Sequence, residues 1–69
     1  IVATFWMKNT HIPLDIAFIN ELGEIIDIQP MEPMSTHKIK SPKPCKYALE
    51  VNRGWFSLQG HTKGSIILV

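Results

Sequence analysis

Four prolines in the middle of the sequence limit what this chain can fold into. Pro30, Pro33, Pro42 and Pro44 fall within one stretch of fifteen residues, 30–44. Each proline fixes φ and lacks a backbone N–H, so no regular element is expected to run through this stretch. We therefore interpret it as a long loop. Loops of this length are uncommon in compact domains and usually either carry function or stay mobile.

The segments on either side of the loop are short and rich in β-branched and aromatic residues, which is typical of strands. We predict strands at 3–8, 14–19, 24–29, 46–51 and 65–69. The break at 20–23 contains a glycine and has the length of a β-hairpin turn. The run 14–19 is apolar at nearly every position, which predicts a strand covered on both faces.

The segment 46–51 alternates between two kinds of residue, as a strand with one buried face does. Tyr47, Leu49 and Val51 are predicted to face the core, and the residues between them to face solvent. The next segment has the signals of a short helix. Asn52 stands where an N-cap belongs and Gly60 where a C′ glycine belongs. These signals predict a helix of about two turns, 53–59.

Five short strands and one late helix predict a mainly β fold. The architecture expected is a small antiparallel sandwich or partly open barrel of about five strands, with one short helix near the C-terminus. The 69 residues form a single domain, 1–69, because a chain of this size builds only one hydrophobic core. A core this small supplies limited stability, so association with another chain is a serious option.

The composition excludes several classes of protein. The net charge is +1, and the lysines within 38–46 have no aromatic residues interleaved, so nucleic-acid binding is not predicted. No segment has the roughly 18 apolar residues of a membrane span, which predicts a soluble domain. Cys45 is the single cysteine and cannot form an internal disulfide. Its expected role is that of a packed small side chain.

Two parts of the sequence resemble a known family. Residues 5–19, which read FWMKNTHIPLDIAFI, closely resemble the signature of domain-of-unknown-function family 192, also catalogued as uncharacterised protein family 0127. The segments 47–51 (YALEV) and 54–56 (GWF), followed by Gly60 and Gly64, resemble its second conserved block in order and spacing. The resemblance covers essentially the whole chain.

The resemblance implies a β-sandwich of jelly-roll type, and it implies no established activity. Many bacterial relatives are exported behind a signal peptide, and relatives carry a preceding segment with a Gly-Leu-Met motif and further strands. This chain resembles a compact version without that segment. We therefore expect a cytoplasmic location and an open sheet edge, which a homodimer would close. A phage-borne gene is one conjecture for such a compact copy.

The candidate ligand-binding residues lie in the two matching blocks and are mostly polar: Trp6, Lys8, Asn9, Thr10, Asp15 and Glu50. In a functional interpretation, the flat face of Trp6 contacts a polar ligand that Lys8, Asn9 and a carboxylate orient. A structural interpretation stays open beside it. In that alternative, Lys8 pairs with Asp15 or Glu50, Asn9 and Thr10 hydrogen-bond the turn backbone, and Trp6 packs in the core.

Catalytic and metal chemistry have weaker support in the sequence. Asp15 or Glu50, acting with Lys8, could serve a small hydrolase-like enzyme through general acid and base chemistry. His11, His37 and His61 do not have the spacing of structural zinc sites, so no metal is predicted. No catalytic residue and no cofactor is predicted either.

The leading hypothesis is a non-enzymatic binding module. The block 6–15 and the loop 30–44 are expected to form one surface for a small polar ligand or a protein partner, since Met31 and Met34 add adaptable apolar contacts in the loop. The hydrolase-like enzyme is the alternative. Two titratable side chains in a concave pocket would favour the enzyme, and a flat apolar face beside an open strand edge would favour a protein partner.

Overall fold

Two antiparallel sheets and one short helix make up the described part of the chain. The structure is a computed structural model that describes residues 4–67. Its elements are β1 (Thr4–Phe5), β2 (Leu14–Ile19), β3 (Ile25–Met31), β4 (Ile39–Lys40), β5 (Tyr47–Asn52) and α1 (Trp55–Leu58). One sheet has the order β3-β2-β5, and β1 pairs with β4 in the other. The mainly β prediction is confirmed, and neither sheet closes into a barrel among these residues.

Strand β2 lies at the centre of the fold and is covered on both faces, as its sequence predicts. Ile16 and Phe18 belong to one core cluster, together with Met7 and Met31. The alternate residues of β2 belong to a second cluster on the other face, where Phe56 of α1 packs. Ile16 to Ile19 are completely buried, so β2 is the element that both layers share.

The β2–β3 hairpin forms at 20–23, where the sequence predicts it. The Asn20 side-chain oxygen accepts hydrogen bonds from the backbone N–H groups of Leu22, at 3.0 Å, and Glu24, at 2.9 Å. Gly23 has φ of 81° and donates to Asn20 O at 3.0 Å. A side chain at Gly23 would collide with Ile67 O, 2.5 Å from the position of an added Cβ.

The loop predicted at 30–44 contains parts of two strands, although no regular element runs through it. Strand β3 continues through Pro30 to Met31, and β4 forms at Ile39–Lys40. The even-numbered residues in this part of β3 direct their backbone groups away from β2. Pro30 is therefore tolerated, because its missing N–H removes no hydrogen bond between the two strands. Strand β4 has only two residues and therefore leaves no periodic signal in the sequence.

The helix is shorter than predicted and begins later. Asn52 is the last residue of β5 and pairs with Leu14, so it is not the N-cap. Gly54 occupies the N-cap with φ of 87°, and this left-handed conformation prevents a helix from starting at residue 53. Gly60, with φ of 76°, follows the C-cap as expected. The described residues contain no helix that is long and apolar enough to cross a membrane.

Two further strand predictions need correction. Tyr47 is 36% exposed and lies outside the second core cluster, whereas Leu49 and Val51 pack against that cluster. Tyr47 is at the end of β5 farthest in sequence from α1, which covers this face. The strand predicted at 65–69 is reduced to one bridge between Glu24 and Ile66, and Ile66 is 59% exposed. Residues 3, 68 and 69 of the predicted strands lie outside the described residues.

Candidate functional site

Three of the six candidate residues, Lys8, Asn9 and Thr10, lie in one tight turn that follows β1. Thr10 N–H donates to Met7 O at 3.0 Å, which closes a four-residue turn. Asn9 is the third residue of this turn and has φ of 65°. A positive φ at that position alone is the signature of a type II turn, and Asn accepts it more readily than most residues. The backbone role of Asn9 and Thr10 agrees with the structural interpretation.

Trp6 and Lys8 project from this turn into solvent on either side of a buried residue. Met7 is 1% exposed and packs in the first core cluster, whereas Trp6 is 49% exposed. The alternative in which Trp6 packs in the core is therefore wrong. The Lys8 ammonium lies 5.4 Å from the centre of the Trp6 ring, a cation–π contact.

A second tight turn lies beside the first. Ser35 N–H donates to Glu32 O at 3.3 Å, with Pro33 and Met34 at the two central positions. Met34 has φ of 62°. Proline is favoured at the second position of a type II turn, but the third position favours glycine. Met34 therefore occupies a turn position that usually holds glycine, and its backbone is strained there.

Backbone hydrogen bonds join the two turns. Met7 N–H donates to Ser35 O at 3.1 Å, and Met34 N–H donates to Thr10 O at 2.8 Å. The first block and the proline-rich loop therefore adjoin. The surface formed by Trp6, Lys8, Asn9, Thr10 and Met34 is called the turn face below. Met34, like Trp6, is 49% exposed.

A cleft of about 250 Å³ opens beside Trp6. Thr4, Phe5, Trp6 and Lys38 line it. Lys38 comes from the proline-rich loop and is exposed. Neither Lys8 nor Lys38 has an ion-pair partner among residues 4–67. The Lys8 ammonium thus stands unneutralised beside the exposed Trp6 ring, and Lys38, also without an ion-pair partner in these residues, lines the cleft next to that ring.

Asp15 is occupied by a structural contact. Its Oδ1 lies 3.1 Å from Arg53 Nε, and its Oδ2 accepts a hydrogen bond from Gly54 N–H at 2.8 Å. The Asp15 side chain is 14% exposed. Asp15 therefore holds the turn between β5 and α1 against β2, and both of its oxygens are engaged.

Arg53 extends that contact to the second turn. Its guanidinium donates to Leu14 O at 3.3 Å and to Met31 O at 3.1 Å, and it forms an ion pair with Glu32 at 3.3 Å. The ends of all three strands of the larger sheet are tied together in this way. Arg53 therefore supports the start of the second turn without belonging to the turn face.

The two candidate carboxylates do not form a pair. Asp15 is opposite Val51 and Glu50 is opposite Ile16 in the β2–β5 ladder. Neighbouring positions along a strand point to opposite faces of the sheet, and opposed residues share a face. Asp15 and Glu50 are consequently on different faces. Lys8 forms an ion pair with neither of them within the described residues.

A second cleft, of about 540 Å³, lies at the other end of β2. Asn20, Glu21, Pro44, Cys45 and Lys46 line it. The Cys45 residue is 7% exposed and belongs to the first core cluster, which confirms its expected packed role. Within the described part of the chain, no three His, Cys, Asp or Glu residues are grouped closely enough to hold a metal ion.

Sequence reasoning named Met34 as an apolar contact of the loop, but it missed the strained turn position of Met34, the place of Lys38 beside Trp6 and the role of Arg53. The Pro33-Met34 pair carries a usable signal, because proline followed by another residue in a loop predicts a turn with a constrained third position. The roles of Lys38 and Arg53 depend on long-range contacts and have no local signal.

Comparison with family models identifies the chain's relatives. The model of the family DUF192, described as Uncharacterized ACR, matches residues 2–69. The chain belongs to the DUF192 family. This DUF192 chain matches no protein in the search of curated proteins.

A crystal structure of a protein from Sinorhizobium meliloti 1021, described as a proposed transcription regulator, is similar to this DUF192 chain. The two share 38% sequence identity with a TM-score of 0.87. The match covers 93% of this chain and 50% of the other, so the DUF192 chain spans about half the length of that protein.

Proposed function

We infer that the domain is a non-enzymatic binding module that holds a protein partner through the turn face. The observation that carries this proposal is the half-exposed Trp6 ring, with the Lys8 ammonium 5.4 Å from its centre and a cleft at its side. The Trp6 ring offers a large apolar surface that contact with a partner would withdraw from water. Tryptophan is also among the residues that contribute most to binding at protein interfaces.

The turn face is held in place before any partner arrives. Met7 anchors the first turn in the core, and two backbone hydrogen bonds tie that turn to the second. Arg53 fixes the residues that lead into the second turn. A preformed surface loses less conformational entropy on binding than a mobile one does, so modest contacts give useful affinity.

The charge around Trp6 favours an acidic partner. Lys8 and Lys38 have no carboxylate partner in the described residues, whereas Asp15 and Glu32 are both bound to Arg53. A carboxylate brought near Trp6 meets the Lys8 ammonium, and a carboxylate brought to the cleft meets Lys38 as a second cation in its lining. Complementary charge of this kind speeds association and selects among partners.

The size of the cleft favours one side chain of a partner over a complete small molecule. Pockets for drug-sized ligands usually hold about 300–1,000 Å³, whereas the cleft beside Trp6 holds about 250 Å³. An aromatic or aliphatic side chain fits that space. The proposed partner segment therefore presents an apolar residue next to Asp or Glu.

The description of the S. meliloti protein is compatible with this role. If a DUF192 chain takes part in transcription regulation, a protein contact is a better fit to this chain than reading of DNA. A helix of four residues is about 6 Å long, which is short for an element that reads the major groove.

Selection of a random peptide library on the immobilised domain tests the proposal. We expect enrichment of sequences with an aromatic or aliphatic residue beside Asp or Glu, and loss of their binding to Trp6→Ala. Trp55→Phe is the matched control, because Trp55 is the other partly exposed tryptophan and lies on α1. Enriched peptides that bind Trp6→Ala as well as the unchanged domain would overturn the proposal, and so would a selection without enrichment.

A further inference from the structure

The outer edge of β5 presents backbone groups that are unpaired in the described part of the chain. Arg53 N–H donates to Pro13 O at 3.2 Å, and antiparallel strands bond through every second residue. The odd-numbered residues of β5 therefore bond to β2. The N–H and C=O groups of Ala48, Glu50 and Asn52 point away from β2, and none of them has a hydrogen-bond partner within residues 4–67.

The opposite edge of the same sheet is protected against pairing. At the start of β3, Ile25 N–H donates to Ser65 O and Gly64 N–H donates to Ile25 O, both at 2.8 Å. Near its other end, β3 contains Pro30, which has no N–H to offer. Coverage and proline are two ways in which proteins prevent unwanted pairing at an edge. Strand β5 is six residues long and contains no proline, so its edge can accept a further strand.

The side chains along β5 differ between the two faces of the strand. On the face that α1 covers, Leu49 and Val51 are only partly buried, and Tyr47 is 36% exposed. Part of this apolar row is still open to water, and a further strand beside β5 would bury it. The other three residues of β5 are exposed. A strand that fits this edge is therefore apolar on one face and polar on the other.

Glu50 gives the β5 edge its preference for charge. It is the only carboxylate of β5 and forms no ion pair within residues 4–67. A second copy of β5 places no cation in line with Glu50, because the other residues on that face are Ala48 and Asn52. Lys46 lies before the strand, and its N–H donates to Ile19 O at 2.9 Å. Opposite charges across strands stabilise pairing. A strand of another protein, with Lys or Arg opposite Glu50, therefore suits this edge better than a second copy does.

We propose that the β5 edge binds an extended segment of another protein as a fourth strand of the larger sheet. The segment runs antiparallel to β5 and alternates apolar residues with polar ones. A Lys or Arg of the segment lies opposite Glu50, and its apolar residues cover Leu49 and Val51. In this mode of recognition the backbone hydrogen bonds supply affinity and the side chains supply specificity. The β5 edge takes a basic segment, so its role stands or falls independently of the acidic partner of the turn face.

Titration with N-methylated peptides tests the backbone pairing. The probe is acetyl-Thr-Val-Lys-Val-Thr-Val-amide, in the register that places its lysine opposite Glu50. The Lys and Thr N–H groups of the probe then point to β5, and its Val N–H groups point away. One short edge binds weakly, so NMR follows the amide signals of 47–52 with peptide added to about 5 mM. Methylation of the lysine nitrogen and the second threonine nitrogen should abolish binding. Methylation of the first two valine nitrogens should leave it unchanged.

Exchange of charge tests the partner assigned to Glu50. Glu50→Lys should weaken binding of the lysine probe about fivefold, because like charges then lie opposite each other. A probe with glutamate in place of lysine should bind this variant as tightly as the lysine probe binds the unchanged chain. That recovery would show that the variant loses a contact and not the fold. Glu21→Lys makes the same change in net charge at an exposed position of the β2–β3 turn, and it should leave binding unchanged.

Several outcomes would overturn the proposal. If the amide signals of 47–52 do not shift at any peptide concentration, the edge does not accept a strand. Equal binding of the two methylated peptides would show that the backbone does not hold the probe. Equal weakening by Glu50→Lys and Glu21→Lys would remove the role of Glu50. Shifts of 47–52 that depend on protein concentration without any peptide would assign the edge to a second copy of the chain instead.

Discussion

Met34 N–H donates to Thr10 O at 2.8 Å and so joins two turns that are far apart in the sequence. Each turn has a residue other than glycine in the left-handed region, Asn9 in the first and Met34 in the second. Asn is tolerated in that conformation, whereas Met costs about 1–2 kcal/mol. The strained residue is also one of the exposed apolar residues of the turn face, which suggests that the side chain is kept for contact with a partner.

Replacing Met34 with glycine should weaken binding without lowering stability. Glycine relieves the strain at φ of 62°, and the gain offsets the ~0.5–1 kcal/mol that its greater freedom costs in the unfolded chain. We expect the free energy of unfolding in urea to stay equal or rise, while the affinity for a selected peptide falls about tenfold because apolar contact is lost.

Leu22→Gly is the control for Met34→Gly. Leu22 is exposed and lies in a turn but is not among the residues with positive φ. Its replacement should lower the free energy of unfolding by about 0.5–1 kcal/mol and leave peptide binding unchanged. Equal losses of stability in the two variants would show that Met34 is not strained.

Asp15→Ala should destabilise the domain by about 1–3 kcal/mol, because it leaves the Gly54 N–H without its acceptor and removes one of the acceptors of the Arg53 guanidinium. Asp15→Asn keeps an oxygen for one of these donors and should cost less. Urea denaturation gives the free energy of unfolding of each variant. Glu32→Ala removes the other acid bound to Arg53, but Glu32 is 70% exposed, and its loss should cost under about 1 kcal/mol. Similar costs for Asp15→Ala and Glu32→Ala would contradict the role given to Asp15.

Gly23→Ala should be more damaging than the same change at Gly54. Both glycines have positive φ, which costs alanine about 1 kcal/mol or more. At Gly23 the added Cβ also lies 2.5 Å from Ile67 O, whereas nothing lies within 4 Å at Gly54. Thermal unfolding of the two variants should show the larger fall in melting temperature for Gly23→Ala. Equal falls in melting temperature for Gly23→Ala and Gly54→Ala would contradict the close contact between the hairpin and Ile67.

A strand could be predicted from sequence where its pattern of apolar residues follows directly from which of its faces are buried. Strand β2 forms at 14–19 as predicted, because it is buried on both faces and apolar almost throughout. Strand β3 extends two residues beyond its predicted end, because Pro30 is tolerated when its backbone nitrogen points away from β2. The start of the helix could not be predicted, because Asn52 has the residue type of an N-cap whereas the left-handed Gly54 occupies that position.

The candidate site was predictable where its residues are contiguous. Lys8, Asn9 and Thr10 lie together because one turn contains them, and Trp6 comes directly before that turn. Asp15 and Glu50 come from two strands, and only the register of those strands shows that they occupy opposite faces. The presence of Lys38 in the Trp6 cleft likewise follows from the return of the proline-rich loop to β1, through the pairing of Phe5 with Ile39.

The most direct test of the turn face is an NMR titration that follows the two tryptophan indole N–H signals. The signals of Trp6 and Trp55 are assigned with the Trp55→Phe variant, and a selected acidic peptide is then added to the unchanged chain. The account predicts that the Trp6 indole signal and the amide signals of 6–10 and 34–38 shift with one binding curve, while the Trp55 indole signal stays in place. Shifts confined to Trp55, or to the residues of β5, would contradict it.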